Sequence, residues 1–357
     1  MAEKLLEVKN LCVSFDTRQG VVRAVRDVSF HVNKGEILGF VGESGSGKSV
    51  SVMSCLGLTA KNGRVESGSI LFGERELSPA GLHARAERKQ HEAMLRSVRG
   101  NEISMIFQDP MTYMNPVLTV GTQVTEGILA HTKCTRHEAW QRGIELLRTV
   151  GIPSPEKRMK QYPYEFSGGM RQRIIIATAL ACSPKLLIAD EPTTALDVTV
   201  QSQILEMIRK RAREEGTSVI MITHDLGVVA SLCDRIAILY GGKIVETGTT
   251  DEVFYETKHP YTLGLLGSIA RRQAQPDGTF LRGEIQSIPG MPPDLMNINT
   301  GCPFVNRCPE AMKICKDYLP ATVPFSPSHA ACCWKYCKEQ AQTLVAEQDR
   351  KRGDSHG

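Results

Sequence analysis

The sequence predicts an α/β fold, and three observations carry that prediction. A short apolar run, Glu36 to Val41, leads straight into a glycine-rich loop and then a helix-period segment. Two further apolar runs, Leu186 to Ala189 and Val219 to Ile222, flank a helix-period stretch from Val200 to Arg213, the alternation that builds a parallel sheet. Ahead of these, the β-branched, alternating segments Leu5 to Phe15 and Val21 to Val32 lie either side of the turn-like Asp16-Thr17-Arg18-Gln19-Gly20, which predicts an antiparallel β subdomain.

The helix after the glycine-rich loop should run from Lys48 to about Leu58. Residues 111–180 are dominated by helix-period segments, clearest at Glu138 to Val150 and Gly169 to Ala181, so a helical subdomain is expected there. The texture changes again near Lys258. After His259-Pro260-Tyr261-Thr262, prolines at Pro276, Pro289, Pro292 and Pro293 mark a loop-rich linker into a cysteine-rich segment. The expected division is a main domain over 1–257, a small cysteine-rich C-terminal extension over 258–340 and a polar tail over 341–357. No internal repeat or long heptad run is present.

With 357 residues, 41% hydrophobic and 23% charged, the chain has room for one large domain and an appendage. Its net charge of +4 is too weak to indicate nucleic-acid binding. The basic run Arg209-Lys210-Arg211 has Glu206, Glu214 and Glu215 in the same helical stretch and reads as a solvated face. The start, Met1 to Glu7, has no apolar signal core, and no run reaches the roughly 18 apolar residues that span a bilayer. The chain is therefore expected to be soluble and to reach a membrane only through partner proteins. Five of the eleven cysteines (Cys12, Cys55, Cys134, Cys182, Cys233) are scattered singly, as reduced cytosolic thiols would be. The other six, Cys302, Cys308, Cys315, Cys332, Cys333 and Cys337, crowd into 36 positions.

The loop Gly42-Glu43-Ser44-Gly45-Ser46-Gly47-Lys48-Ser49 fits the pattern G-x-x-x-x-G-K-[ST]. In that pattern backbone N–H groups wrap phosphates, the lysine neutralises their charge and the hydroxyl binds magnesium. The apolar run Leu186 to Ala189 ends in Asp190-Glu191, which would set Asp190 beside that metal and Glu191 beside an attacking water. Phe166-Ser167-Gly168-Gly169-Met170-Arg171-Gln172-Arg173 offers a hydroxyl and glycine N–H groups at a helix start, a second anion site that can equally be an ordinary helix cap. One phosphate loop does not need two such sites. The surplus makes sense if Ser167 and Gly169 reach the γ-phosphate of a nucleotide held by another subunit.

Ser-Gly-Gly-x-x-Gln at 167–172, lying between the phosphate loop and Asp190-Glu191, resembles the signature of the ABC ATPases, and the resemblance covers about residues 5–257. It implies an ABC-type nucleotide-binding domain that hydrolyses ATP with Mg2+. It assigns Gln108, in Phe107-Gln108-Asp109-Pro110, to magnesium and water and to the loop that adjoins the transmembrane partner. It also assigns His224 to the γ-phosphate, Ser167, Gly168, Gly169 and Gln172 to the signature, Ala195-Leu196-Asp197 to the loop that crosses to the partner ATPase, and Phe15, 33 residues before Lys48, to the adenine ring, although a core phenylalanine would read the same. Glu191, present here, is the residue that nonhydrolysing relatives often replace.

The span from Gln108 to Ser167 is 59 residues, too short for the coiled-coil arm of DNA-repair relatives, and the single cassette differs from the paired cassettes of ribosome-acting ones. The stretch Gln108 to Pro116, His259-Pro260-Tyr261-Thr262 and the cysteine-rich end are together similar to the oligopeptide and dipeptide importer ATPases, with nickel importers close by. That likeness implies two membrane permeases, an external peptide-binding protein, a second related ATPase and a place on the cytoplasmic face of the inner membrane. A nontransport ABC switch acting on nucleic acid or ribosomes is the alternative. Tyr113-Met114 departs from the more usual Ser-Leu beside the permease-facing loop.

A proline-rich segment with little apolar content needs a staple. Disulfides are disfavoured in the cytosol, which leaves zinc or an iron–sulfur cluster, with unliganded thiols as the plain alternative. The absence of Cys-x-x-Cys knuckles, and the likeness of Gly301 to Phe304 and Arg307 to Pro309 to the extension of peptide importer ATPases, favour a [4Fe-4S] cluster on Cys302, Cys308, Cys315 and Cys333. Cys333 is preferred because in the family a histidine commonly precedes the last cysteine by four positions, as His329 does here; Cys332 is the alternative and Cys337 is spare.

Overall fold

A computed structural model describes residues 3–109, 113–193, 196–268, 272–274, 280–282, 287–298, 300–337 and 340. Pro110 to Thr112, Ala195, Pro276 and the tail over 341–357 lie outside the described residues.

The central sheet is mixed. Strands β3 (Ile37–Val41), β6 (Ile103–Ile106), β7 (Leu186–Asp190), β8 (Ser218–Ile222) and β9 (Arg235–Tyr240) run parallel in the order β9-β3-β8-β7-β6. Strand β10 (Lys243–Thr249) adds antiparallel to β9. Every residue of β3, β7 and β8 is buried, because the sheet is covered on both faces, and this is why these strands read as unbroken apolar runs. Along β7, Leu187 and Ala189 join a core with Ile204 and Ile208 of helix Val198–Glu215, and Leu186 and Ile188 join another core beneath the antiparallel subdomain.

That subdomain contains β1 (Lys4–Thr17), β2 (Gly20–Asn33), β4 (Gly63–Phe72) and β5 (Arg75–Glu76), in the order β2-β1-β4-β5. The hairpin was legible in the sequence; β4 was not, because its solvent side, with Glu66, Ser67 and Gly68, breaks the alternation. Helix α1 (Lys48–Cys55) stops short of the expected Leu58, since Gly57 takes a left-handed φ of 60° that ends the helix. Helix α2 (Arg85–Val98) was also unforeseen: only Leu95 and Val98 are buried, so its apolar stripe is too narrow to register. The expected helical subdomain contains α3 (Val120–His131), α4 (Arg136–Thr149) and α5 (Gly168–Leu180), packed on one another.

The C-terminal extension adds to the central sheet itself. Its short strand Ala330–Ala331 pairs with Glu246 and Thr247 of β10. Beneath that junction the fully buried Glu246 carboxylate accepts from the N–H groups of Lys258 (2.7 Å) and His259 (3.0 Å) and lies 2.9 Å from Nε2 of His329. The histidine four positions before Cys333 is thus an anchor to the sheet.

Candidate nucleotide site and cysteine pocket

The phosphate loop follows β3 and turns into α1 through backbone that only glycine tolerates. A Cβ on Gly42 (φ 155°) would lie 2.2 Å from the Leu239 carbonyl oxygen, and one on Gly47 (φ 99°) 2.5 Å from that of Ala24. The Lys48 ammonium donates to the carbonyls of Gly42 and Glu43, both at 2.8 Å, and burial holds its pKa below the ordinary lysine value. The Ser46 hydroxyl is buried with no hydrogen-bond partner among the described residues.

Opposite this loop, β7 delivers Asp190 and Glu191. Burial raises the pKa of Asp190, against a hydrogen bond from Ser49 that favours the carboxylate. The Ser49 hydroxyl and Asp190 carboxylate are therefore adjacent oxygen donors, the chemistry a magnesium ion requires. Glu191 takes a left-handed φ of 46°, a strained conformation for a side chain, with its N–H fixed on the Ile222 carbonyl at 2.9 Å. Its two carboxylate oxygens are divided: Gln108 Nε2 donates to Oε2 at 2.9 Å, and His224 Nδ1 lies 3.0 Å from Oε1. His224 is placed by its neighbours, since Thr223 Oγ1 accepts from the Asp225 N–H and Asp225 caps helix Leu226–Leu232.

Gly42, Ser44, Gly45, Gly47, Lys48, Ser49, Gln108, Asp190, Glu191 and His224 line one cavity of about 440 Å³. Val22, Ala24, Val50 and Leu295 complete its walls. Phe15 stands directly across the hairpin from Val22, its ring packed over Gly63, so it flanks this cavity without lining it.

Glu43, Ser46, Ser167, Gly168, Gly169, Gln172 and Asp197 do not line it. Ser167 caps α5, accepting from the Met170 N–H at 3.4 Å, and it and Gly168 are exposed. Asp197 caps helix Val198–Glu215 in the same way, through the Val200 N–H at 3.0 Å. Gln172 is buried and donates to the Pro192 carbonyl at 2.9 Å, beside Glu191, so within this chain it braces the strand end.

The six clustered cysteines separate into two groups. Cys302, Cys308, Cys315 and Cys333 line one small cavity of about 90 Å³ with Phe304, Trp334 and His259. Cys332 instead meets the Thr322 hydroxyl at 3.1 Å, and Cys337 faces the carbonyls of Ala321 and Cys333. Burial pushes the Cys302 thiol up to about 12 and the Cys333 thiol to about 11. None of the eleven cysteines is in a disulfide, and among the described residues no three His, Cys, Asp or Glu side chains close around a single metal ion. Neither a zinc site nor a cluster is thereby shown.

An open cassette, with its phosphate loop, its paired carboxylates and its capped glycine turn held apart on α5, defines an ATPase of the ABC transporter class. The ABC transporter family profile matches residues 25–194, and the profile described as oligopeptide/dipeptide transporter, C-terminal region, matches residues 245–315. The chain is 49% identical over 351 residues to the dipeptide transport ATP-binding protein DppD of Bacillus subtilis (strain 168), covering 98% of this chain and 99% of that one. It is 47% identical over 338 residues to the oligopeptide transport ATP-binding protein OppD of Salmonella typhimurium (strain LT2), covering 95% and 96%. Among solved structures it resembles the ATP-binding cassette MJ0796 in a dimeric post-hydrolysis state bound to ADP and Pi, with TM-score 0.60, 25% identity, 69% of this chain and 98% of that chain. A second likeness is to cbiO1 of Clostridium perfringens, with TM-score 0.57, 27% identity, 74% of this chain and 95% of that chain. The chain belongs to the family of oligopeptide and dipeptide transport ATP-binding proteins and is an ATPase of the ABC type. Among the described residues no helix is long and apolar enough to cross a membrane.

Proposed function

We propose that this chain hydrolyses ATP to drive import of dipeptides or oligopeptides, as a peripheral subunit on the cytoplasmic face of the inner membrane. It works there with two permeases, a second related ATPase and an external peptide-binding protein. The division into a cassette over 1–257, an extension over 258–340 and a tail follows the same reading.

The observation that carries the reaction is the grip on Glu191. With its carboxylate divided between Gln108 and His224 at the mouth of the phosphate cavity, Glu191 is fixed to polarise a water for in-line attack on a γ-phosphate. Lys48 turns from the loop carbonyls to the phosphates, and loop N–H groups beyond Glu43, whose own N–H is held by Tyr261, wrap them. Magnesium, held by Ser49, Asp190 and Gln108, would neutralise phosphate charge when bound. His224 holds the γ-phosphate side, and Phe15 stacks on the adenine. Ser167 and Gly168, exposed, and half-buried Gly169, all away from their own loop, suit a nucleotide on the partner ATPase, with Asp197 at the crossing and Gln172 bracing Glu191. Closure of the two cassettes on ATP then moves the permeases. A cavity of about 260 Å³ beside the helical subdomain, lined by Phe107, Tyr113 and Met114, suits the permease contact, and there Tyr113 stacks on Phe107 at 3.8 Å.

For the cysteine pocket we propose a [4Fe-4S] cluster on Cys302, Cys308, Cys315 and Cys333. Four thiols facing one apolar cavity, without the tight convergence a single zinc needs, suit a cubane whose sulfur ligands stand well apart. Its role is structural, closing a segment that has few apolar residues of its own. The cargo reading is tested in vesicles holding the whole transporter. ATP turnover should rise when peptide-loaded binding protein is added; stimulation by nickel alone, or copurification with nucleic acid in place of permeases, overturns it.

A further inference from the structure

Glu43, the second residue of the phosphate loop, is held from outside the cassette at two points. Its N–H donates to the Tyr261 hydroxyl at 2.9 Å, and its carboxylate accepts from Arg307 Nη1 at 2.7 Å, across 264 residues of sequence. Arg307 is only 9% exposed, and the rest of its guanidinium is committed to the extension and the sheet: Nε to the Pro289 carbonyl (2.9 Å), Nη2 to that of Ile288 (3.3 Å) and Nη1 also to the Tyr240 hydroxyl (3.1 Å). The guanidinium lies over the Tyr240 ring at 5.8 Å, and Tyr240 packs with Tyr261 and Phe304 in tilted and edge-to-face contacts, ring centroids 4.4–5.3 Å apart. A planar group fixed on so many sides has one direction left, toward Glu43. The extension also enters the cavity itself, through Leu295, whose carbonyl accepts from the Arg23 N–H at 3.1 Å.

These contacts bear on charge as well as shape. A glutamate in a phosphate loop sets a negative charge beside the place where a triphosphate must lie, and its carbonyl is one of the two that hold Lys48. Arg307 pairs with that charge, while the Tyr261 hydroxyl holds the loop backbone at the same residue.

We infer that the C-terminal extension is a working part of the nucleotide site, with Arg307 as a positioning residue that neutralises Glu43 and holds the phosphate loop in its binding shape, and Leu295 as a wall beside the nucleotide. This rests on the nucleotide reading of the cavity and not on what occupies the cysteine pocket. Because Arg307 immediately precedes Cys308, disturbance of the cysteine segment reaches the loop through one side chain.

The test is equilibrium binding of magnesium-ATP to the full chain, together with kcat in the assembled transporter. Arg307→Met should weaken ATP binding about tenfold while kcat at saturation stays within about twofold, the size expected of one uncompensated charge near phosphates in partial solvent. Adding Glu43→Gln to Arg307→Met should restore most of that affinity, which a merely structural arginine would not allow. Glu43→Gln alone should tighten binding, since it removes a negative charge beside the phosphates and leaves the fixed charge of Arg307 unopposed. Leu295→Ala should weaken binding about threefold, as loss of one apolar contact predicts. Unchanged affinity in a folded Arg307→Met chain, or a double variant as weak as Arg307→Met, overturns the role of Arg307. If Arg307→Met does not fold, weaker binding by Glu43→Gln alone overturns it. Unchanged affinity in Leu295→Ala overturns the wall. If the parent chain fails to bind ATP, the nucleotide reading itself is what falls.

Discussion

Nδ1 of His224 lies 3.0 Å from Oε1 of Glu191, so the histidine at the end of β8 and the glutamate at the end of β7 meet although 33 residues separate them. The parallel pairing of the two strands, Asp190 against Ile222, brings their carboxyl ends to the same edge of the sheet. Open α/β sheets present ligand sites at that edge. Replacing His224 with Ala should lower kcat by about 100-fold, the usual scale for a group acting on a transferring proton or developing charge, with ATP affinity little changed. Steady-state ATPase assays beside equilibrium binding check this. A loss confined to affinity would assign His224 to ground-state binding alone.

The cysteine pocket separates four thiols from two, and the difference can be measured. Anaerobically purified chain should contain about four irons and four sulfides. Cys308→Ser should lose them and Cys337→Ser should keep them, because Cys337 faces backbone carbonyls outside the pocket. Metal analysis and the absorption spectrum are the readouts. Stoichiometric zinc without iron would replace the cluster by a zinc staple and leave the cassette chemistry untouched.

His31 supplies a pH dependence. It is half-buried on β2, with Nε2 3.2 Å from Nη1 of Arg235, and burial followed by that cation lowers its pKa to about 4. Between the unfolded value near 6.5 and the folded value, the unfolded chain binds a proton that the folded chain does not, so stability falls as pH falls through this window. Relative to His31→Asn, the parent should lose about 1 kcal/mol between pH 7 and pH 4.5, a figure reduced for the solvent exposure of the ring. Denaturant titrations of both chains at the two pH values measure it; a parent that gains stability relative to the variant would reverse the sign.

The residues that line the phosphate cavity were legible because their motifs are local. The loop Gly42 to Ser49 and the pair Asp190-Glu191 are contiguous words whose spacing carries their chemistry, and the cavity assembles them with Gln108 and His224 as the order of motifs implied. The same locality explains what was missed. Arg307 was read only as a neighbour of Cys308, and His259-Pro260-Tyr261-Thr262 only as a likeness, because the contact of each with Glu43 or Glu246 is made in space across many residues. The choice between Cys333 and Cys332 depended on which side chain of an adjacent pair faces inward, which spacing alone leaves open; the pocket holds Cys333. Leu295 carried no signal at all, being an ordinary leucine after two prolines.

The most direct test of the central claim is single-turnover ATP hydrolysis by a transporter whose only competent site contains Glu191→Gln. Gln keeps the size of the side chain and one acceptor while removing the negative charge to which the proposal assigns polarisation of the water. The account predicts that ATP binds as tightly as in the parent and that hydrolysis slows by about 100-fold or more. Hydrolysis at the parent rate, with binding intact, would contradict it.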